Sequence, residues 1–288
     1  MGIGAAGRRE VSFGGSAVTV EYEGESAAWV VDFLYRYISP IHDTSPHVTY
    51  RVIEKERQLF LYRDDELLYA GNSKGAAADW LMGDSCHQLV ERSRGGLLFH
   101  AAALARSGRS LILPGTIGAG KSTLTAWLAA RGWAYLTDEM VYISSESGYF
   151  SAFTRPLNLK TPSRQPLTGL FDFDRPFEHM LLTPQGMLLS PALLNAALPD
   201  SHCERAQFSK QSHALFVFPR YVPGGELELC SLSAAQTGLA LMECLVNARN
   251  LPDHGFAQAA RLARQSPGYT LRYGHFEQIG GQIEALQK

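Results

Sequence analysis

The segment Ser110-Leu111-Ile112-Leu113-Pro114-Gly115-Thr116-Ile117-Gly118-Ala119-Gly120-Lys121-Ser122-Thr123 frames this chain. A short apolar strand, Ser110 to Leu113, runs into a loop of the pattern G-x-x-x-x-G-K-[ST], matched by Gly115, Gly120, Lys121 and Ser122. Glycines let backbone N–H groups turn toward phosphate oxygens with no Cβ in the way. Lysine at the seventh position supplies a mobile positive charge for β- and γ-phosphates, and the hydroxyl after it can face Mg²⁺. A helix starting at that lysine adds its positive dipole end. The spacing therefore predicts a phosphate-binding loop made of Gly115, Thr116, Ile117, Gly118, Ala119, Gly120, Lys121, Ser122 and Thr123.

The flanks carry the same reading. Leu98 to Leu104 is apolar, with a turn at Ser107-Gly108 before the strand. Thr123 to Arg131 has helical spacing and good helix formers, and Gly132 stops it. Ala134 to Thr137 leads to Asp138-Glu139, and Met140 to Ile143 reads as another strand. Strand, loop, helix, strand is the βαβ context such a loop requires. Two adjacent acids in a buried strand are costly unless a cation or proton compensates them. If that stretch stays extended, successive residues face opposite sides and one acid, Asp138 by preference, faces the nucleotide. His100, inside an apolar run, reads as a core residue when taken alone. Arg155 and Lys160 are candidate charge stabilisers, and Arg220 is a weaker one.

The first hundred residues read as a separate unit. Residues 17–22 and 47–53 have strand patterns, residues 57–63 and 67–70 straddle an Asp64-Asp65 turn, and residues 27–37 and 75–92 have helical spacing. Residues 161–212, rich in proline, read as loops with short helices. A strand at 213–218, helices at 233–247 (capped by Ser233) and 255–264, a strand at 269–273 and a helix at 276–287 complete the expectation.

Composition excludes several classes. Hydrophobic residues make up 45% and charged ones 19% of 288 residues, as in a globular protein with a proper core. A net charge of −2 gives no electrostatic reason to expect nucleic acid. No window approaches the roughly 18 apolar residues of a membrane span, and the first residues do not read as a secretory signal, so a cytoplasmic location is expected. Cys86, Cys203, Cys230 and Cys244 lie far apart, which argues against a zinc site or disulfide framework. The chain has no Asn-Lys-x-Asp motif of guanine-reading GTPases and no Leu-Ser-Gly-Gly signature of ABC ATPases.

With these residues in view, the chain resembles the bacterial HPr kinase/phosphorylase family. It is more similar to the HPr-kinase-related kinases found beside peptide or envelope-modification genes. His100 to Leu104 lies ahead of the glycine loop, Asp138-Glu139 follows its helix, and Arg155-Pro156-Leu157-Asn158-Leu159-Lys160 resembles the Arg-Pro-x-x-Leu-Lys stretch of those kinases. The likeness covers roughly residues 97–160 well and 213–275 loosely. HPr kinases carry Asp-Asp where this chain has Asp138-Glu139, and their downstream glycine-containing signature with a further metal-binding glutamate is not recognisable. The resemblance implies an α/β fold with a P-loop kinase core of the HPr kinase/PEP carboxykinase-like type over 96–288 and a small N-terminal α+β module over 1–95.

It also implies an ATP-dependent kinase acting with Mg²⁺ on a serine-type hydroxyl of a protein or peptide. Asp138 would take the hydroxyl proton, tuned by His100. Ser122 with Glu139 or Asp138 would hold the metal, Lys121 the phosphates, and Arg155 or Lys160 would offset charge on the moving group. The HPr enzymes are hexamers, and a homo-oligomer is left open here. Acceptor recognition is expected from the N-terminal module and the 161–212 region. Two other readings share the same motif: a nucleotide-gated module with slow ATPase activity, and a small-molecule kinase on the same core.

Overall fold

A computed structural model describes residues 5–38, 44–173, 178–196 and 214–286. The chain starts as a five-stranded sheet in sequential order, built from β1 (Ala6–Phe13), β2 (Ser16–Glu23), β3 (Thr49–Lys55), β4 (Gln58–Arg63) and β5 (Glu66–Gly71). Helix α1 (Glu25–Tyr35) connects the parallel pair β2 and β3, and α2 (Lys74–Arg92) follows β5. The Asp64-Asp65 turn is where the sequence puts it, with Asp64 at φ 49°. Strand β1 is absent from the sequence reading: Arg8, Arg9 and Glu10 interrupt its apolar pattern because it is an edge strand.

The larger sheet is centred on a long strand, β6 (Gly96–Arg106), hairpinned to β7 (Arg109–Pro114). Helix α3 (Lys121–Ala129) leads to β8 (Ala134–Thr137), and β9 (Met140–Ser144) and β10 (Phe150–Ala152) continue outward. β11 (Leu157–Lys160), β12 (Met180–Thr183) and β13 (Gly186–Leu189) form a separate three-stranded sheet, and a single turn, α4 (Pro191–Leu194), follows it. β14 (Ala214–Tyr221), β15 (Glu228–Leu232), α5 (Ala234–Glu243), α6 (Phe256–Gln265), β16 (Gly268–Tyr273) and α7 (Gly280–Ala285) close the chain. Among the described residues the sheet order is β10-β9-β6-β7-β14-β16-β15, with β8 beside β6 on the flank it shares with β9. The fold is mixed α/β, as expected.

β7, β14 and β16 run parallel, and β8 and β7 are both antiparallel to β6, so β8 is parallel to them as well. Their carboxyl ends share one edge of the sheet. Ligands of open α/β sheets bind at such an edge.

The 161–212 expectation needs correction where it is described. Short 3₁₀ turns do occur at Thr161–Ser163 and Gln165–Leu167, but Met180 to Leu189 is a hairpin rather than a loop. Its strands are four residues long, too short for a period, and β13 pairs with β11 some thirty positions earlier. Residues 197–213, with His213 and Cys203, lie outside the described residues. The helix expected over 233–247 ends at Glu243, and its Ser233 cap is present as a capping box with Gln236. The last helix splits into a 3₁₀ turn, Phe276–Gln278, and α7.

The N-terminal sheet does not close its own core at residue 95. Val11, Val20, Leu61 and Leu81 share one buried cluster with Leu98, Met140, Phe153, Leu181 and Leu188 from the larger half. Phe13 packs on Phe153 with ring centres 5.3 Å apart.

Candidate functional site

The glycine loop leaves the end of β7 and opens on the shared carboxyl edge. Gly118 and Gly120 take φ values of 88° and 91°, and a Cβ on Gly120 would stand 2.7 Å from Tyr273 Oη. Glycine is required there on both counts. Gly120 also caps α3 with no side-chain hydrogen bond, so the N–H groups of the first turn are free of a side-chain acceptor.

Lys121 is buried and folds back onto its own loop. Its Nζ donates to Gly115 O at 2.7 Å and Thr116 O at 3.0 Å, and lies 3.0 Å from His100 Nε2. Burial pulls its pKa down, with Glu139 working the other way. His100 Nδ1 faces Glu139 Oε1 at 3.3 Å. Lys121 donating to Nε2 fits the tautomer that carries its proton on Nδ1. His100 is therefore a bridge between lysine and acid. Its direct contact is with Glu139, and on Asp138, which it was expected to tune, it acts only as a neighbouring charge that lowers the pKa.

The two acids sit at a bend between β8 and β9, where the ladder with β6 thins but keeps a hydrogen bond from Ala101 N to Glu139 O at 3.1 Å. Pairing holds from Gly96 to His100 and resumes at Ala103, and Asp138-Glu139 fills the interval. The alternation rule does not hold across this bend, and both side chains converge on one cation. Arg155 Nη2 stands 3.1 Å from Asp138 Oδ1 and 2.5 Å from Glu139 Oε2. Arg155 itself is buried against α2, with Nη1 2.8 Å from Met82 Sδ. Burial lowers the Arg155 pKa, but Asp138 and Glu139 outweigh it and the net shift is upward. Burial also works against ionisation of Glu139, yet Arg155 and His100 bring it down to about 2. Asp138 goes the other way: burial pushes it above the ordinary aspartate range, and Arg155 only restrains the rise.

Asp138 Oδ2 accepts from Ser122 Oγ at 3.4 Å and from the Asn158 backbone N–H at 3.1 Å. Tyr135 Oη donates to Arg155 O at 2.7 Å and stands 3.4 Å from Asp138 Oδ1. Asn158 and Tyr135 were not singled out from the sequence. Asn158 acts through its backbone, which no residue-type pattern records, and Tyr135 looked like an ordinary β-strand aromatic.

His100, Lys121, Ser122, Asp138, Glu139, Arg155 and Asn158 line one cleft of about 490 Å³ with Ile117, Gly118, Thr123, Lys160, Gln165, Tyr221, Tyr273 and Phe276, while Tyr135 lies buried behind it. That size suits a nucleotide-sized ligand. Lys160 is exposed at its rim, and Arg220 is exposed on β14 without lining it. The three aromatics carried no sequence signal. A wider groove of about 640 Å³, lined by Ser145, Glu146, Gln258 and Arg261, shares no residue with the cleft.

Among the described residues no three His, Cys, Asp or Glu side chains converge as a metal cage. Ser122 Oγ and Asp138 Oδ2 are instead a pair of hard oxygen donors. Such a pair fits Mg²⁺, which keeps waters and substrate phosphates as its other ligands. Both oxygens of Glu139 already face Arg155 and His100. No helix among the described residues is long and apolar enough to cross a membrane. Compared with known proteins, the chain matches no family model and no curated sequence.

Proposed function

We propose that this chain is an Mg·ATP-dependent kinase with an HPr-kinase-like P-loop core, transferring the γ-phosphoryl group to a serine-type hydroxyl of a peptide or protein. One observation carries the reading. A loop of phosphate-binding pattern and the buried Asp138 carboxylate open on the same cleft, with Ser122 of the loop beside that carboxylate.

Loop N–H groups and Lys121 would bind the phosphates, Lys121 exchanging its present carbonyl partners for phosphate oxygens. Mg²⁺, bound by Ser122 and Asp138, would neutralise charge on the phosphates. The acceptor oxygen forms a bond to the γ-phosphorus while the bond to the β-bridging oxygen breaks and ADP leaves. The hydroxyl proton would pass to the Asp138 carboxylate, which stands beside Ser122 in the cleft. Arg155 limits the cost of the adjacent acids, and Lys160 at the rim would meet charge on the incoming group. Catalysis of this kind is mostly positioning and charge stabilisation.

The test follows labelled γ-phosphate from Mg·ATP, with wild type and Lys121→Ala, into peptide, protein and small-molecule fractions of a host extract. Label entering the peptide or protein fraction with wild type alone is the expected result. Label found only as free phosphate would overturn it in favour of an ATP-gated module, and label on a small molecule would redirect the acceptor class.

A further inference from the structure

The cleft has two chemically different ends. Asp138 follows β8, on the β6 side of the loop strand β7, and Tyr221 ends β14, on the opposite side. Because β8, β7 and β14 are parallel, both residues stand on the same sheet edge, with Lys121, Ser122 and Thr123 between them. The acidic end carries His100, Glu139 and Arg155. At the other end are Tyr221, Tyr273 and Phe276.

The aromatic end is not explained by core packing alone. Tyr273 and Phe276 are buried, and Phe276 packs on Trp127 of α3. Tyr221 is 41% exposed although its ring stacks nearly parallel to Phe276, the planes 16° apart and the centres 6.1 Å apart. Its position is held firmly: its N–H donates to Ala119 O at 3.2 Å, within the glycine loop itself. Tyr221 Cβ would come within 3.0 Å of a Cβ on Gly120. A large ring is thus kept open to solvent, backed by a second ring and pinned to the phosphate loop.

We infer that Tyr221, backed by Phe276, is the stacking shelf for the purine base of the bound nucleotide. This rests on the nucleotide reading above and deepens it by giving the cleft a direction. The transferred phosphoryl group lies at the Asp138 end and the base at the Tyr221 end. A π-face held against a base is favourable for any purine and is sequence-tolerant in its chemistry.

Calorimetric titration of wild type, Tyr221→Ala and Tyr221→Phe with Mg·ATP and with Mg·tripolyphosphate tests it. The expected result is ATP affinity weakened by about fivefold to a hundredfold in Tyr221→Ala, with tripolyphosphate affinity kept. Tyr221→Phe, which retains the ring, should recover most of the ATP affinity lost in the alanine variant. Unchanged ATP affinity in Tyr221→Ala would overturn the shelf while leaving the phosphate site standing. Equal losses for both ligands would make Tyr221 a support of the loop's shape and would also overturn it. Failure of wild type to bind either ligand would instead remove the nucleotide reading itself.

Discussion

A guanidinium with 4% of its side chain exposed, facing two carboxylates, holds the chemistry of this cleft together. Removing one partner of a buried pair leaves an uncompensated charge, which costs more than the intact pair contributes. Arg155 lets Glu139 stay ionised, while burial holds Asp138 higher against the pull of the same guanidinium, so two neighbouring acids take different properties from their surroundings. On that basis Asp138→Asn should keep ATP binding through the loop and Lys121, with the Mg²⁺ contribution weakened, while phosphoryl transfer falls by about 10²- to 10⁴-fold. Binding measured by calorimetry beside a transfer assay separates the two. Normal turnover in that variant would sink the role of Asp138 as proton acceptor.

Elements are held by contacts that a residue list does not reveal. Helix α1 has Gly24 as its N-cap, with no side-chain cap of its own. Glu54 on β3 serves instead, accepting from Ser26 N and Ser26 Oγ, both at 2.7 Å. Those two hydrogen bonds hold the Glu54 carboxyl below the ordinary glutamate range. A depressed carboxyl contributes stability that is complete above the unfolded value and lost as pH falls through the folded one. Glu54→Ala should therefore destabilise by about 0.5–2 kcal/mol at neutral pH, as for loss of a helix cap. The gap in melting temperature between it and wild type should close on acidification, and a constant gap would refute the charge-assisted cap.

Helix α2 gives a sharper contrast, because two of its glycines should respond with opposite sign. A Cβ at Gly83 meets nothing within 4 Å, and Gly83→Ala should gain about 0.5–1 kcal/mol from helix propensity. A Cβ at Gly75 would fall 1.6 Å from Leu182 O on β12, so Gly75→Ala should lose about 1–3 kcal/mol as the helix is forced off its neighbour. Urea midpoints of the two variants decide it, and a shift in the same direction for both would mean that α2 does not press on β12 as described.

At the scale of the whole molecule, distant parts of the chain are tied together by asparagines. Asn247, just after α5, is fully buried: its Oδ1 accepts from Leu98 N at 3.0 Å, and its Nδ2 donates to Gly96 O at 3.0 Å and Ser93 Oγ at 3.2 Å. Asn250 Nδ2 donates to Glu91 O and Ser93 O, satisfying the end of α2. The two side chains join the end of α2 and the start of β6, where the two halves of the chain meet. Asn247→Ala leaves a buried N–H and carbonyl without partners, and a loss of about 1–3 kcal/mol per group is the general cost. Chemical denaturation should show at least that loss, and an unchanged midpoint would deny the tie its importance.

The contiguous sequence by itself determined the glycine loop, its strand and its helix. The geometry of such a loop is a local property of eight successive residues, and glycine permits the positive φ taken at Gly118 and Gly120. The Asp64-Asp65 hairpin, the Ser233 cap and helix α2 were legible for the same reason. Only the tertiary structure decided that His100 meets Lys121, that Arg155 lies between both acids, and that Tyr221 opens beside the loop. Each of those meetings joins segments that are neighbours in the fold and separated in sequence. Strand order and the break between β8 and β9 create them, and a side-chain period within one segment carries no record of which strand will lie next to it.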